Sequence, residues 1–123
     1  MTGIVIIGAG HAAGQAAASL RQAKFEGPIT IIGDEAHVPY QRPPLSKQYL
    51  AGTQLADKVY LRAEKFYADK DIQLMLDTRA TQIDPSTKTI NLDNGETIAY
   101  EKLLISTGSR PRKLSIEGSD LSG

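Results

Sequence analysis

The sequence predicts an α/β fold: a doubly wound parallel sheet carrying an antiparallel β-meander insert. Three observations lead to it. Two short runs of branched apolar residues, 4–7 (IVII) and 29–32 (ITII), flank an alanine-rich stretch. Strand, helix and strand within about 30 residues is the size of a βαβ crossover, which makes the two strands parallel neighbours. Farther on, three β-like stretches (79–83, 87–92 and 96–100) follow one another through turn residues, the pattern of an antiparallel meander.

Residues 4–7 are apolar at every position, as in a central strand covered on both faces. Gly8 ends the run, and residues 12–24 read as a helix whose apolar stripe closes at Leu20. Gly27-Pro28 breaks the chain before the second buried strand, which stops at Gly33-Asp34. In the segment 39–48 (PYQRPPLSKQ), Pro43-Pro44 sets an extended entry. Pro44 is suited to the first position of a short helix reaching about Leu50. Residues 63–70 read as another short helix and Ile72–Leu76 as a strand. The meander turns at Asp84-Pro85-Ser86 and at Asp93-Asn94-Gly95, and Asn-Gly is the strongest short hairpin signal. Residues 102–106 (KLLIS) read as a last buried strand running into Thr107-Gly108.

Composition sets bounds. The 123 residues suit one domain, assigned here to residues 1–123. A hydrophobic share of 41% supports a core, and no apolar run approaches the roughly 20 residues of a membrane span. Lys plus Arg equals Asp plus Glu at 14 each, so no overall field draws the chain to nucleic acid or to a membrane surface. The N-terminus lacks the basic region of a signal peptide. There is no cysteine, which removes thiolate metal sites and thiol–disulfide chemistry from this chain and fits a cytoplasmic setting.

The first chemical motif is Gly8-Ala9-Gly10-His11-Ala12-Ala13-Gly14, a G-x-G-x-x-G/A pattern with Ala13 in third position. Gly8 permits the tight turn, Gly10 lets backbone approach a pyrophosphate, and Ala13 keeps the helix close to the sheet. His11 and Ala12 open the helix, whose free N–H groups and positive dipole end suit phosphate. Between a buried strand and a helix, the motif is the Rossmann-like fingerprint of a dinucleotide ligand. Asp34, 24 positions past Gly10, is placed to accept hydrogen bonds from ribose hydroxyls and to repel a 2′-phosphate; Glu35 is the alternative. Thr107 and Gly108 close the last strand at the sheet end where such folds bind ligands, and Arg110 is a candidate phosphate or flavin contact. His11 and His37 have no nucleophile or metal partner near them in sequence. Tyr60, Phe66 and Tyr67 read as packing residues, and Arg110, Arg112 and Lys113 as a solvated basic cluster.

These motifs, together with Gln41-Arg42-Pro43-Pro44-Leu45-Ser46-Lys47 and Ser106-Thr107-Gly108-Ser109-Arg110-Pro111-Arg112, resemble the FAD domain of oxygenase-coupled ferredoxin reductases, the family of putidaredoxin and rubredoxin reductases. The resemblance covers essentially the whole chain, and RPPLSK is its most specific element. It departs from the family at Ala13, where glycine is commoner, and in length, since family members continue well past residue 123. The chain is therefore expected to be the N-terminal portion of an FAD-binding domain, without the NADH-binding and C-terminal domains, and inactive alone.

The resemblance implies hydride transfer from NADH to FAD, then single-electron transfer to a ferredoxin or rubredoxin. It places Lys47 near the isoalloxazine, where a cation stabilises the charge of reduced flavin. Arg42 is a candidate bidentate partner of the pyrophosphate, and Pro43 a candidate packing surface for the ring. A backbone contact from Ala80 to adenine rests on the resemblance alone. No catalytic side chain and no metal are expected. The alternatives are another flavin reductase on the same scaffold, such as an NADH oxidase or a nitrite reductase subunit, and a non-enzymatic nucleotide-binding module.

Overall fold

The computed structural model describes residues 2–122; Met1 and Gly123, the ends of the expected unit, lie outside the described residues. In chain order the elements are β1 (Ile4–Ile7), α1 (His11–Gln22), β2 (Ile29–Ile32), α2 (Glu64–Asp69), β3 (Ile72–Met75), β4 (Ala80–Asp84), β5 (Thr89–Leu92), β6 (Thr97–Ala99) and β7 (Lys102–Ile105). Two short 3₁₀ turns, Pro43–Ser46 and Ala56–Lys58, lie between β2 and α2.

The strands form two sheets, as the sequence predicts. A four-stranded parallel sheet runs β3-β2-β1-β7, and a three-stranded antiparallel sheet runs β4-β5-β6. The period of two along each strand decides what covers each face. Ile6, Ile29 and Ile31 turn toward Ala13 and Ala17 of α1 and Tyr67 of α2. Val5, Ile7 and Ile32 turn the other way and meet Ile90, Leu92 and Tyr100 of the meander region. The parallel sheet is thus covered by helices on one face and by the antiparallel sheet on the other, which explains its unbroken apolar runs. Alanines at 13 and 17, both fully buried, let α1 lie close. Gly14 does the same on the helix flank, where a Cβ would stand 2.9 Å from the Pro39 side chain and 3.0 Å from that of Leu61.

Turn chemistry ends the meander strands where the sequence places the turns. The Asp84 carboxylate accepts from the Ser86 and Thr87 backbone N–H groups at 2.8 and 3.2 Å, an Asx turn. Gly95 takes φ of +86°, while Asn94 accepts from the Glu96 N–H at 2.9 Å.

Two local expectations change. The helix expected from Pro44 to Leu50 is a 3₁₀ turn over Pro43–Ser46. Neither proline offers an N–H, and the turn closes through three-residue bonds, Leu45 N–H to Arg42 O and Lys47 N–H to Pro44 O, both 3.0 Å. Lys47 then leaves helical geometry at φ −128°, ψ −109°. The last strand, β7, is an edge strand with one neighbour and is not buried: only Leu103 packs toward the meander, and Leu104 and Ile105 are exposed by 39% and 60%.

One side chain outside every motif joins three parts of the fold. Arg21, in the last turn of α1, donates to the carbonyls of Phe25 (2.6 Å), Gly27 (2.8 Å), Lys70 (2.8 Å) and Asp71 (2.8 Å). It fixes the loop into β2 and the turn between α2 and β3 to the end of α1. Arg21→Met keeps the aliphatic stem and removes the donors. The variant is expected to lose about 2 kcal/mol of unfolding free energy, since hydrogen bonds from a charged donor each contribute about 1.5–3 kcal/mol and these are partly solvated. Urea denaturation of both proteins checks it, and an unchanged midpoint would show the contacts to be dispensable.

Candidate functional site

The C-terminal ends of β1, β2 and β7 converge on the glycine loop. Gly8 has φ of +107°, and a Cβ there would stand 2.1 Å from the Ser106 carbonyl oxygen, so glycine is required on both counts. Its N–H donates to Ile32 O at 2.7 Å. At the next strand end, a Cβ on Gly33 would stand 2.4 Å from the Ala9 Cβ. Gly10 is different: a Cβ there meets no protein atom within 4 Å. It precedes α1, whose first turn has neither a side-chain cap nor an acid. The free N–H groups and positive dipole end of α1 therefore open onto a cleft.

The cleft has two adjoining lobes. The larger, about 660 Å³, is lined by Gly8, Gly10, His11, Ala12 and Arg42 among others. The smaller, about 360 Å³, is lined by Ile32, Thr78, Arg79 and Ala80 among others. Asp34, Thr107, Gly108 and Arg110 line both lobes.

Each acid at the end of β2 is engaged by an arginine from a different segment. Arg110 donates to the Asp34 carboxylate. Glu35 accepts from the Tyr40 hydroxyl at 2.7 Å and from Arg42 at 3.0 Å. Arg42 also donates to the Tyr40 oxygen at 3.0 Å, and its guanidinium carbon lies 5.0 Å from the Tyr40 ring centroid. The Tyr40 hydrogen bond, with Arg42 beside it, holds the Glu35 carboxyl below its ordinary value against the opposing effect of burial. Burial and the Glu35 carboxylate push the Tyr40 hydroxyl up.

The cleft thus gathers Gly8, Gly10, His11, Ala12, Asp34 and Glu35 with Arg42, Ala80, Thr107, Gly108 and Arg110. Ala13 lies beneath the loop, fully buried in the core. Pro43 and Lys47 lie on the exposed 3₁₀ turn beyond Arg42, outside the lining of either lobe. The Lys47 ammonium donates back to Pro43 O at 3.4 Å. Sequence reasoning missed Tyr40, two positions before Arg42, and missed that Arg110 meets Asp34. His37 lies 3.3 Å from the Tyr60 hydroxyl, away from the cleft. Among the described residues, no cluster of His, Cys, Asp and Glu could hold a metal ion. No described helix is long and apolar enough to cross a membrane.

The Glu35 cluster makes stability depend on pH. A carboxyl held below its ordinary value of 4.5 contributes stability that is complete above that value and is lost as pH falls through the depressed one. Glu35→Gln removes the contribution. The stability difference between the two proteins is expected to be constant above about pH 5 and to shrink below pH 4.5. Urea denaturation at a series of pH values checks this; a difference that persists unchanged to pH 3 would show that the Glu35 charge is not what the cluster uses.

Comparison with known proteins follows the same lines. The family model described as pyridine nucleotide-disulphide oxidoreductase matches residues 2–123. A rubredoxin-NAD(+) reductase of Pseudomonas putida is 43% identical over 120 residues, which are 98% of this chain and 31% of that protein. A crystal structure of a ferredoxin reductase from Rhodopseudomonas palustris superposes with a TM-score of 0.92 at 43% identity, covering 98% of this chain and 30% of that one. The reductase in a covalent putidaredoxin reductase–putidaredoxin complex superposes with a TM-score of 0.88 at 39% identity, over 95% of this chain and 28% of that one. The chain spans less than a third of the length of these relatives. With its glycine loop, parallel sheet and meander matched along nearly the whole sequence, the chain belongs to the pyridine nucleotide-disulphide oxidoreductase family.

Proposed function

We propose that the cleft binds the adenosine diphosphate end of FAD, and that these residues form the FAD-binding unit of an NADH-dependent reductase serving a small iron–sulfur protein. One observation carries the reading: the uncapped N-terminus of α1 stands over Gly10, whose missing Cβ no protein atom requires. Of the other glycines of the site, Gly8 and Gly33 answer to collisions within the protein, and Gly108 to a backbone φ of +68°. Gly10 is left to answer to a ligand, and a phosphate is what a helix N-terminus and a bare backbone receive best.

The remaining residues fit the same ligand. Asp34 and Glu35 are the acceptors for a ribose diol at the β2 end, and a 2′-phosphate there would meet two carboxylates. Arg42 and Arg110 are the phosphate-directed cations on either side of the glycine loop. Ala80 and its neighbours offer the smaller lobe to adenine. Pro43 and Lys47 are assigned to the flavin ring, with Lys47 supplying a positive charge where electron density accumulates. Thr107 and Gly108 give a low backbone wall at the strand end.

FAD, when bound, supplies the two-electron to one-electron conversion between NADH and the acceptor; the protein binds, orients and tunes it. No acid or base from this chain is required for that, which agrees with a cleft whose two carboxylates, Asp34 and Glu35, are already paired with arginines. The chain offers a single glycine loop of this kind, so NADH is assigned to a second dinucleotide-binding unit of the whole reductase. Similarity to rubredoxin and putidaredoxin reductases supports a ferredoxin- or rubredoxin-type acceptor. We place the reaction in the cytoplasm, where NADH is held and where a cysteine-free chain is indifferent to reducing conditions.

Gly10→Val tests the reading. The added side chain points into open space, so the fold is expected to keep its stability to within about 1 kcal/mol, the ordinary cost of a poorer N-cap. Affinity for FAD or ADP is expected to fall at least about tenfold, because the branched side chain takes the phosphate's place. Isothermal titration with ADP and a denaturation curve decide it together. Undiminished ligand affinity in a well-folded variant would make the loop only a turn.

A further inference from the structure

Strand order gives the Asp34–Arg110 pair a particular position. The sheet runs β3-β2-β1-β7, so β2 and β7 flank β1. Asp34 follows β2 by two residues, and Arg110 follows β7 by five. A bond between them must therefore cross in front of the end of β1, where the glycine loop begins. Both residues line both lobes of the cleft, so the pair stands where the lobes join. A ligand that reaches from the smaller lobe to the N-terminus of α1 passes alongside it.

The pair is built from two groups with different ligand preferences. A carboxylate accepts hydrogen bonds from a ribose diol; a guanidinium is the better partner for phosphate, which it binds with two parallel donors. We infer that Arg110 is a specificity-determining residue that closes the cleft on Asp34 and yields it more readily to a nucleoside carrying phosphate than to a bare one. The inference rests on the reading of the cleft as a site for an adenosine diphosphate moiety. A bare nucleoside that takes Asp34 leaves Arg110 without its anion. A nucleoside diphosphate takes Asp34 with its ribose and returns an anion to Arg110, so the guanidinium exchanges one partner for another. Selection comes from what happens to the released cation, not from any contact with the base.

The side chains of Arg110 and Asp34 are 70% and 36% exposed. Exposed ion pairs are weak enough to open readily, and their removal alters a competing equilibrium by about two- to fivefold. That is large enough to measure and too small to shut out the proper ligand.

The experiment titrates the 123-residue chain with adenosine and with ADP, following the backbone amide shifts of cleft residues by NMR. Arg110→Gln is expected to bind adenosine about two- to fivefold more tightly and ADP several-fold more weakly, so that the preference for ADP narrows. Asp34→Asn is expected to do the opposite: adenosine exchanges a charged acceptor for a weaker amide one, ADP keeps Arg110, and the preference for ADP rises. Adenosine affinity that is unchanged or weaker in Arg110→Gln overturns the inference and leaves the cleft assignment standing. If Arg110→Gln does not fold, Asp34→Asn decides alone, and an unchanged ratio of ADP to adenosine affinity overturns it. Failure of the unaltered chain to bind ADP removes the cleft assignment and the inference with it.

Discussion

Glycine backbone packed directly against its neighbours where three strands end is the constraint on which the cleft depends. Gly8 touches the Ser106 carbonyl, and Gly33 touches Ala9, at distances that leave no room for a Cβ. Because these contacts are so close, β1, β2 and β7 finish at one level and their following loops diverge around a shared opening. Widening any one of them by a methyl group displaces the start of α1, and with it the helix terminus that faces the opening. The contrast with Gly10 separates two reasons for glycine that look alike in a sequence. Two of these glycines satisfy the protein, and one satisfies nothing inside it.

Much of the fold was legible because its signals are local. The all-apolar runs, the strand–glycine–helix order and Asn94-Gly95 each act within a few residues, and each element lies where those signals place it. The segment after Pro43-Pro44 was harder. Two prolines mark a helix start well, but they also withhold the donors that would extend it past one tight turn. The exposure of β7 was not legible at all. Lys102–Ile105 has the composition of a central strand, while burial depends on which neighbours the topology supplies. Arg21 gave no signal either, since two of its four partners are carbonyls 49 and 50 positions away.

The same distinction divides the site. The glycine loop and Asp34 follow from spacing along the chain. The arginine pairings do not, because they join residues as far apart as Asp34 and Arg110, separated by 76 positions. They alter how the acids are understood. Neither Asp34 nor Glu35 is a bare carboxylate awaiting a sugar: each already has a guanidinium partner, and Glu35 has a phenol as well. Exposed pairs of this kind add little to global stability. Their effect is geometric, since they draw the segment around Arg42 and the segment after β7 toward the tip of β2, one from each side.

The parallel pairing of β1 with β7 has a consequence for how the chain comes to be folded. β1 can find β2 as soon as α1 has formed between them, and β3 can be added next. The remaining edge of β1 must wait for Lys102–Ile105, because Ile4 is matched to Lys102. Joining the first strand to the last of the described ones closes a loop over most of these residues, the kind of distant contact that slows folding. During synthesis on a ribosome, one flank of the central strand stays open until the meander has emerged. The walls of the cleft are brought together by the same event that joins β7 to β1.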